Sequence, residues 1–495
     1  MILTILILLP LVGALVTASV PTRDLAKMVG LGFALATLAA GVVALAQYDT
    51  GGGMQLTETH TWIEALGVHY ALGVDGVGVL MVLLTVVLVP IVLLAGWHES
   101  DDEGNGGGRS FFAWALALEA MSLAVFTATD VLLFYVVFEA TLIPAYFLIG
   151  GFGRTGRGRA ATKFLIYQLA GGLVMLASVI GLYVVSSDNG NPSFLLTDLA
   201  ALDIDPITQR WLFLGFFIAF AIKAPMFPVH TWLADTTEKA TTGTSVLLVC
   251  ILDKIGTFGM LRFCLGLLPD ASQWATPAVV VLALISIIYG ALVAIGQDDV
   301  LRLIGLTSLS HFGFIVLGIF VFSSTGGTGA ILYMVNHGIA TALMFLVAGF
   351  LIRRTGTASI REMGGVEKTA PVLAGFFLVA GLAACGLPGL APFVSELLVI
   401  IAAFDYHWLA GSVSVLAIVL AAFYALWLYQ RTMTGPGRVD VAPVADLDRR
   451  EVGLVAPLLL ALVLFGFYPM PVLDIINPVV HDTLAGVGVT EGGHQ

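Results

Sequence analysis

The chain has 495 residues, of which 59% are hydrophobic and only 11% are charged. Soluble domains carry roughly 25% charged residues, so water is not the solvent for most of this surface. The net charge of −12 also argues against nucleic acid as a partner.

Apolar runs of about 20 residues recur from end to end, and a helix of that length crosses roughly 30 Å of hydrocarbon. Residues 1–20 lack a basic n-region and an A-x-A-like cleavage site, which predicts a retained first span rather than a signal peptide. The sequence therefore predicts an all-α polytopic membrane protein with about fourteen transmembrane helices. The predicted spans lie near 2–20, 28–46, 78–97, 110–128, 131–150, 162–185, 209–229, 244–267, 276–295, 300–322, 328–352, 370–404, 411–430 and 452–470.

Lysine and arginine residues test this map, because cytoplasmic loops are enriched in them. If residue 1 starts outside, the inner loops carry 17 of the 21 basic residues, and the outer side carries only Arg210 and Arg262. Lys223 and Lys254 lie inside spans. One span added or lost in mid-chain would mix the two sides. We therefore expect a multi-pass membrane protein with both termini on the outer side.

Seven ionisable side chains fall inside the predicted spans near one depth. At about 1.5 Å per residue, each lies roughly 9 to 16 Å from an end of its span. A single buried ionisable group is often structural glue between helices, but such groups are expensive in a membrane and usually mark ion pathways. Seven at one depth favour a pathway. This polar row consists of Glu119, Glu139, Lys223, Lys254, His311, His337 and Glu396.

The polar row contains both signs of charge. Glu139 and Lys223 can pair, and a change in that pair would alter the proton affinity of both groups. Histidine between lysine and glutamate suits proton relay, because its unperturbed pKa is near neutrality. Asp253 precedes Lys254 but points to another helix face, so we predict that it bonds only locally.

Two predicted spans are interrupted by proline or glycine. The seventh reads AIKAPMFPVHTWL and contains Pro225 and Pro228, and the twelfth reads AACGLPGLAPFVSELL and contains Pro388 and Gly389. Proline removes a backbone donor, and the freed carbonyls then need water or polar partners. Broken helices at corresponding positions of two halves point to the ion site of a transporter.

The two breaks do correspond. Each lies in the fourth span of a five-span unit, spans 4–8 and spans 9–13, and Pro225 and Pro388 are 163 residues apart. This spacing predicts two pseudo-symmetric five-helix repeats, each with one discontinuous helix. We expect four segments: 1–109 with spans 1–3, 110–267 as the first repeat, 268–433 as the second repeat, and 434–495 with the last span and the C-terminus.

The sequence offers no convincing motif for a redox or metal site. Gly151-Phe-Gly153-Arg-Thr-Gly156 fits the pattern GxGxxG, but it follows a transmembrane helix rather than a strand, so it does not predict nucleotide binding. The three cysteines lie in apolar spans without CxxC spacing, which predicts inert core residues. They are Cys250, Cys264 and Cys385. We expect no cofactor and no metal in this chain.

Several stretches resemble the antiporter-like membrane subunits of respiratory complex I. They are VLLFYVVFEATLIPAYFLIG, FAIKAPMFPVHTWLAD, DKIGTFGMLRF, DDVLRLIGLTSLSHFGF, MVNHGIATALMFL and GLPGLAPFVSELL. The resemblance covers roughly spans 3–13. Within the family, Glu396 stands where sister subunits and the related multisubunit antiporters usually carry lysine. A long lateral helix after span 14 is also missing from the sequence. Both features favour the branch with a carboxylate in its twelfth span.

The resemblance implies a role for each matching residue. Glu139 would be the carboxylate that tunes Lys223, the proton carrier of span 7. Lys254 would be the central relay of span 8, and Glu396 the terminal group that leads outward. The supporting hydrated axis would consist of Glu119, His230, His311 and His337.

The chain departs from the family pattern on the inner side of span 7. Ala234 stands where the family usually has proline after Trp-Leu, and DTTEKATTGTS replaces a stretch in which a His and an Ala-Pro pair are usual. The family pattern therefore does not predict the inner half-channel mouth of this chain.

The resemblance implies a proton-translocating membrane-arm subunit of an NADH–quinone oxidoreductase in the inner or plasma membrane of a bacterium. Other subunits would carry electrons from NADH to quinone, using FMN and iron–sulfur clusters that lie outside this chain. Expected partners are the sister antiporter-like subunits, through them the peripheral redox arm, and the lipid bilayer. One alternative is a subunit of a multisubunit monovalent cation/proton antiporter, and another is a structural membrane scaffold. Glu396 disfavours the former and the polar row disfavours the latter.

Overall fold

The computed structural model describes residues 1–98, 107–190, 192–436 and 444–488. Within these ranges, twelve helices are long and apolar enough to cross a membrane, and each overlaps a predicted span. They are Ile2–Ser19 (span 1), Arg23–Gln47 (span 2), Gly76–Ala95 (span 3), Gly107–Thr127 (span 4), Val131–Gly151 (span 5), Arg157–Asp188 (span 6), Thr242–Leu265 (span 8), Pro269–Ile295 (span 9), Val300–Phe320 (span 10), Ser324–Thr355 (span 11), Trp408–Met433 (span 13) and Arg449–Phe467 (span 14).

Spans 7 and 12 are broken, as the prolines predict, and they bring the total to fourteen. Span 7 consists of Pro206–Lys223 and Thr231–Lys239, and span 12 consists of Pro371–Ala384 and Ala391–Tyr406. A neighbouring side chain binds a carbonyl that the first break releases: the indole Nε1 of Trp232 donates to the Ile222 carbonyl at 3.0 Å. At the second break, Asn336 Nδ2 of span 11 donates to the carbonyl of Ala391, the first residue of the second half of span 12, at 2.8 Å.

The most deeply buried spans of the bundle carry three members of the polar row. All residues in the most apolar window of span 10 are buried, compared with 94% in span 8 and 89% in span 11. In spans 1, 2, 6, 9, 13 and 14, fewer than half of the residues in the corresponding window are buried, as expected of helices that face lipid. Lys254, His311 and His337 therefore lie in the part of the fold that is best shielded from lipid.

A β-hairpin and a final helix add to the helical bundle at positions where the sequence analysis placed only loop. Strands β1 (Gln55–Ile63) and β2 (Val68–Val74) pair antiparallel. The His69 amide donates to Asp130 Oδ2 at 2.9 Å, which fixes the hairpin to the start of span 5. The final helix, Met470–Gly486, follows span 14. Short helices complete the described elements: Glu64–Leu66, Leu196–Ala200, Ile360–Glu362 and Val366–Lys368.

Candidate functional site

Span 8 changes its helical winding on both sides of Lys254. The stretches Leu247–Leu252 and Met260–Leu265 are π-helical, and Lys254–Gly259 between them is α-helical. The Asp253 amide donates to the Leu248 carbonyl at 2.9 Å, five residues back. Such π-helical turns are rare and are frequent at functional sites.

Lys254 is fully buried and binds a histidine of span 11. Its Nζ lies 2.6 Å from His337 Nδ1 and 3.2 Å from the Val249 carbonyl, to which it donates. The ammonium group also lies 4.4 Å from the centre of the Phe312 ring, within the range of a cation–π interaction. These neighbours carry no formal charge, so Lys254 can exchange its proton with His337 without breaking an ion pair.

The contacts continue from His337 to His311 of span 10. The two imidazole rings meet edge to face with their centres 5.1 Å apart. His311 Nε2 lies 3.1 Å from the Ala384 carbonyl and 3.3 Å from the hydroxyl of Tyr424. Because Ala384 is the last residue of the first half of span 12, His311 reaches the helix break itself.

Glu396 lies beyond that break and accepts a hydrogen bond from a second tyrosine. Tyr333 Oη donates to Glu396 Oε1 at 2.5 Å, and the Tyr333 ring lies 5.9 Å from the ring of His311. Gly386, in the break, has a φ of +67° and packs against Glu396 Oε2 so closely that a methyl group would overlap it. Lys254, His337, His311, Tyr333 and Glu396 thus form one continuous chain of contacts, which we call the relay chain.

Lys223 lies at the other broken helix and is also fully buried. Its Nζ donates to Thr141 Oγ1 at 3.1 Å and lies 4.5 Å from the centre of the Phe138 ring. Among the described residues, no ion pair within 4.0 Å joins Lys223 to Glu139. The structure therefore lacks the direct Glu139–Lys223 pair that the sequence permits. Glu139 still lies within electrostatic range of Lys223.

The Glu139 carboxylate packs on a glycine of span 6. A methyl group at Gly172 would overlap Glu139 Oε1, which has no hydrogen-bond partner in the described part of the chain. Thr141, two residues after Glu139, keeps the helix of span 5 continuous, because its amide donates to the Val137 carbonyl at 3.1 Å. Span 5 therefore presents a hydroxyl group to Lys223, which the apolar pattern of its sequence does not predict.

Two members of the predicted hydrated axis lie apart from the relay chain. His230 is buried against Tyr289 of span 9, with ring centres 5.2 Å apart. Glu119 is buried in span 4, and neither of its carboxylate oxygens has a hydrogen-bond partner within the described ranges.

Ion pairs surround the C-terminal end of span 7, where the sequence departs from the family pattern. Asp235 lies 2.6 Å from Lys163 Nζ and 2.7 Å from Arg302 Nη1. Arg302 also pairs with Glu238 at 2.8 Å. A cleft of about 380 Å³ opens between this network and the start of span 6. Asp235 and Glu238 of the DTTEKATTGTS stretch thus form a charged network with basic residues of spans 6 and 10.

Sequence reasoning missed Thr141, Tyr333 and Tyr424, because hydroxyl groups in an apolar helix do not stand out as charges do. A spacing rule would have found one of them. Tyr333 precedes His337 by four residues, so both side chains lie on one helix face.

The geometry of the break predicts a strong effect for a small substitution in span 12. Gly386→Ala places a side chain in a left-handed conformation, which costs about 1 kcal/mol or more, and pushes the Glu396 carboxylate away from Tyr333. We expect less assembled protein and slower proton transfer, measured by blue-native gels and by proton uptake into vesicles. Gly375→Ala is the matched control, because an added methyl group there meets nothing within 4 Å. Equal behaviour of the two variants would contradict the steric argument.

The chain is similar to known proteins over almost its whole length. Residues 128–421 match the family model described as NADH:quinone oxidoreductase/Mrp antiporter, TM. NADH-quinone oxidoreductase subunit M of Mycobacterium tuberculosis is 49% identical, over 98% of this chain and 94% of its own length. A chain of respiratory complex I from Thermus thermophilus superposes with a TM-score of 0.90 and is 32% identical, covering 99% of this chain and 100% of that one. A chain of the Mrp complex from Dietzia sp. has the same fold, with a TM-score of 0.86, 21% identity and 98% coverage of both chains.

A polytopic bundle with two broken helices and buried lysines and glutamates defines an antiporter-like membrane subunit. The match over residues 128–421 and the relatives above show to which group the chain belongs. It is a member of the subunit M family of NADH–quinone oxidoreductases, within the wider NADH:quinone oxidoreductase/Mrp antiporter family. Glu396 is the carboxylate of span 12 from which the sequence analysis favoured this branch of the family.

Proposed function

We propose that this chain translocates protons as a membrane-arm subunit of an NADH–quinone oxidoreductase. The observation that carries the proposal is the relay chain, in which protonatable side chains of spans 8, 11, 10 and 12 follow one another through the centre of the bundle. It begins with the 2.6 Å contact between Lys254 and His337 and ends with the 2.5 Å hydrogen bond between Tyr333 and Glu396. Each member can both bind and release a proton, and water bridges the steps at which the rings of His337, His311 and Tyr333 meet without a direct hydrogen bond.

Glu139 and Lys223 form the loading end. A proton enters from the inner side and binds Lys223, whose nearest partners are a hydroxyl group and an aromatic ring. The charge of Glu139 favours the protonated form of Lys223 and opposes its release. Movement or neutralisation of Glu139 therefore releases the proton, and this links loading to events in the neighbouring subunit.

The proton then passes to Lys254, through His337 and His311, to Glu396 and to the outer side. Tyr333 holds the Glu396 carboxylate in place, and the break in span 12 supplies an exit. Glu119 and His230 support hydration at the two flanks of this route. Residues 110–267 and 268–433 act as the two repeats, 1–109 as the N-terminal spans and 434–495 as the C-terminal part.

The distribution of basic residues supports the orientation, with 17 on the inner side and both termini outside. The partners are the sister antiporter-like subunits and, through them, the peripheral redox arm. FMN and iron–sulfur clusters belong to those other subunits, and the energy of electron transfer reaches this chain through the membrane arm.

Substitution of Glu139 tests the proposal. Glu139→Gln removes the charge, and we expect proton uptake by inverted vesicles that oxidise NADH to fall several-fold. Glu139→Asp keeps the charge and should retain most activity. Glu64→Gln, in the exposed turn of the outer hairpin, is the control. Normal pumping by an assembled Gln variant would refute the role of Glu139. Proton uptake that follows a sodium or potassium gradient and not NADH oxidation would favour the cation/proton antiporter instead.

A further inference from the structure

The route proposed above has a gap between its two lysines. The hydrogen bonds of Lys223 and Lys254 within the described residues go to Thr141, the Val249 carbonyl and His337. None of these groups connects one lysine to the other. A proton that leaves Lys223 therefore needs another group, or water, before it reaches Lys254.

Asp253 lies in this gap. It directly precedes Lys254, is fully buried, and has no hydrogen-bond partner at either carboxylate oxygen among the described residues. The carboxyl group is within electrostatic range of both Lys223 and Lys254. The predicted local hydrogen bonding of Asp253 is thus not observed. A buried carboxyl group without a partner is costly, so Asp253 is bound to water or carries a proton.

Helix packing shows which way Asp253 faces. Gly256, one turn later, lies against the Ala224 amide and the Phe220 carbonyl so closely that any side chain would clash. Residues three apart share a helix face, so Asp253 faces span 7 as well. At about 1.5 Å per residue, it lies roughly 4.5 Å inward of that contact, level with the unwound segment that follows Lys223.

The winding of span 8 allows this arrangement. The π-helical stretch Leu247–Leu252 ends at Asp253, whose own amide bonds five residues back. This winding lets neighbouring residues serve different sides of the helix: Lys254 reaches His337 of span 11, and Asp253 turns to span 7.

We propose that Asp253 is an intermediate proton-binding group between Lys223 and Lys254. The Lys223 ammonium gives a proton, through water in the break of span 7, to the Asp253 carboxylate, which leaves a neutral amine and a neutral carboxylic acid. The acid then gives the proton to a neutral Lys254 amine and returns to the carboxylate. Charge and protons balance in both steps. The inference rests on the proposed function, because it adds a member to that route.

Variants of the assembled complex test this inference. They are introduced chromosomally, so that the chain assembles with its own partners, and are assayed in inverted vesicles that oxidise NADH. Asp253→Asn cannot take up a proton, and we expect pumping to fall about three- to tenfold. The pH profile of the coupled rate should also change. Asp253→Glu should pump at a rate near that of the parent, with a displaced pH profile. Cys264→Ala, buried in the same span, is the matched control.

The outcomes separate the two proposals. If Asp253→Asn pumps like the parent while Lys223→Ala is defective, the role of Asp253 is overturned and the proposed function stands. If Lys223→Ala and Glu139→Gln also pump normally, the proposed function fails. If Asp253→Asn does not assemble, Asp253→Glu decides. A displaced pH profile supports the relay role, and an unchanged rate with an unchanged profile overturns it.

Discussion

Replacing Lys223 by alanine is expected to lower proton pumping and the coupled oxidation of NADH by tenfold or more, towards the roughly hundredfold lower end of the range for loss of a general acid–base group. The complex should still assemble. Lys223 donates one hydrogen bond, to Thr141, and has no ion pair within 4.0 Å in the described ranges, so its removal leaves no buried countercharge in direct contact. The measurement is proton uptake by inverted vesicles, normalised to the amount of assembled complex.

Lys223→Arg separates charge from proton release. Arginine keeps the positive charge next to Phe138 but does not give up its proton at accessible pH, so this variant should also be impaired. Lys368→Ala is the control, because Lys368 is an exposed lysine in the loop before span 12. Full pumping by an assembled Lys223→Ala variant would remove this residue from the pathway. Wild-type activity of the Arg variant would reduce its role to a fixed charge.

Sequence reasoning located the spans and their breaks because both depend on local properties. Apolar runs of span length fix where helices cross the membrane, and proline interrupts a helix whatever surrounds it. The breaks after Lys223 and Ala384 and the depth of the buried charges followed from these rules. The basic residues of the loops then predicted an orientation without any knowledge of how the helices pack.

The partners within the site could not be predicted in this way, because they depend on helix rotation. The π-helical turns before and after Lys254 change which residues of span 8 face span 7 and which face span 11. The sequence shows no mark of them. The same limit explains why the sequence permits direct pairing of Glu139 with Lys223, whereas in the structure Thr141 binds the lysine. It also explains the hairpin of β1 and β2, whose polar and exposed residues read as an ordinary loop.

Glu396→Gln is expected to give a stable, assembled complex with proton pumping reduced several-fold. The amide keeps the volume of the carboxyl group and can still accept the hydrogen bond from Tyr333, so packing beside Gly386 is preserved. What it loses is the ability to bind and release a proton. A carboxylate buried at this depth must be hydrated, paired or protonated during part of the cycle, which suits a group that receives a proton from His311 and releases it outward.

Three further variants sharpen this test. Tyr333→Phe keeps the ring but removes the hydrogen bond, so it should slow pumping less than the loss of the carboxyl group itself. Glu396→Lys introduces the residue that sister subunits usually carry, and we expect partial function because either type of group can carry a proton. Glu362→Gln is the control. Glu362 also accepts a hydroxyl hydrogen bond, from Thr357 at 2.6 Å, but it is exposed in the loop between spans 11 and 12.

The decisive comparison is between Glu396→Gln and Glu362→Gln, with proton uptake measured at equal amounts of assembled complex. A selective loss in the first variant supports Glu396 as the group that passes protons to the outer side. Pumping at the rate of the parent in both variants would mean that protons leave the chain elsewhere. In that case the break in span 12 would serve packing against span 11, through Asn336 and the Ala391 carbonyl, rather than proton release.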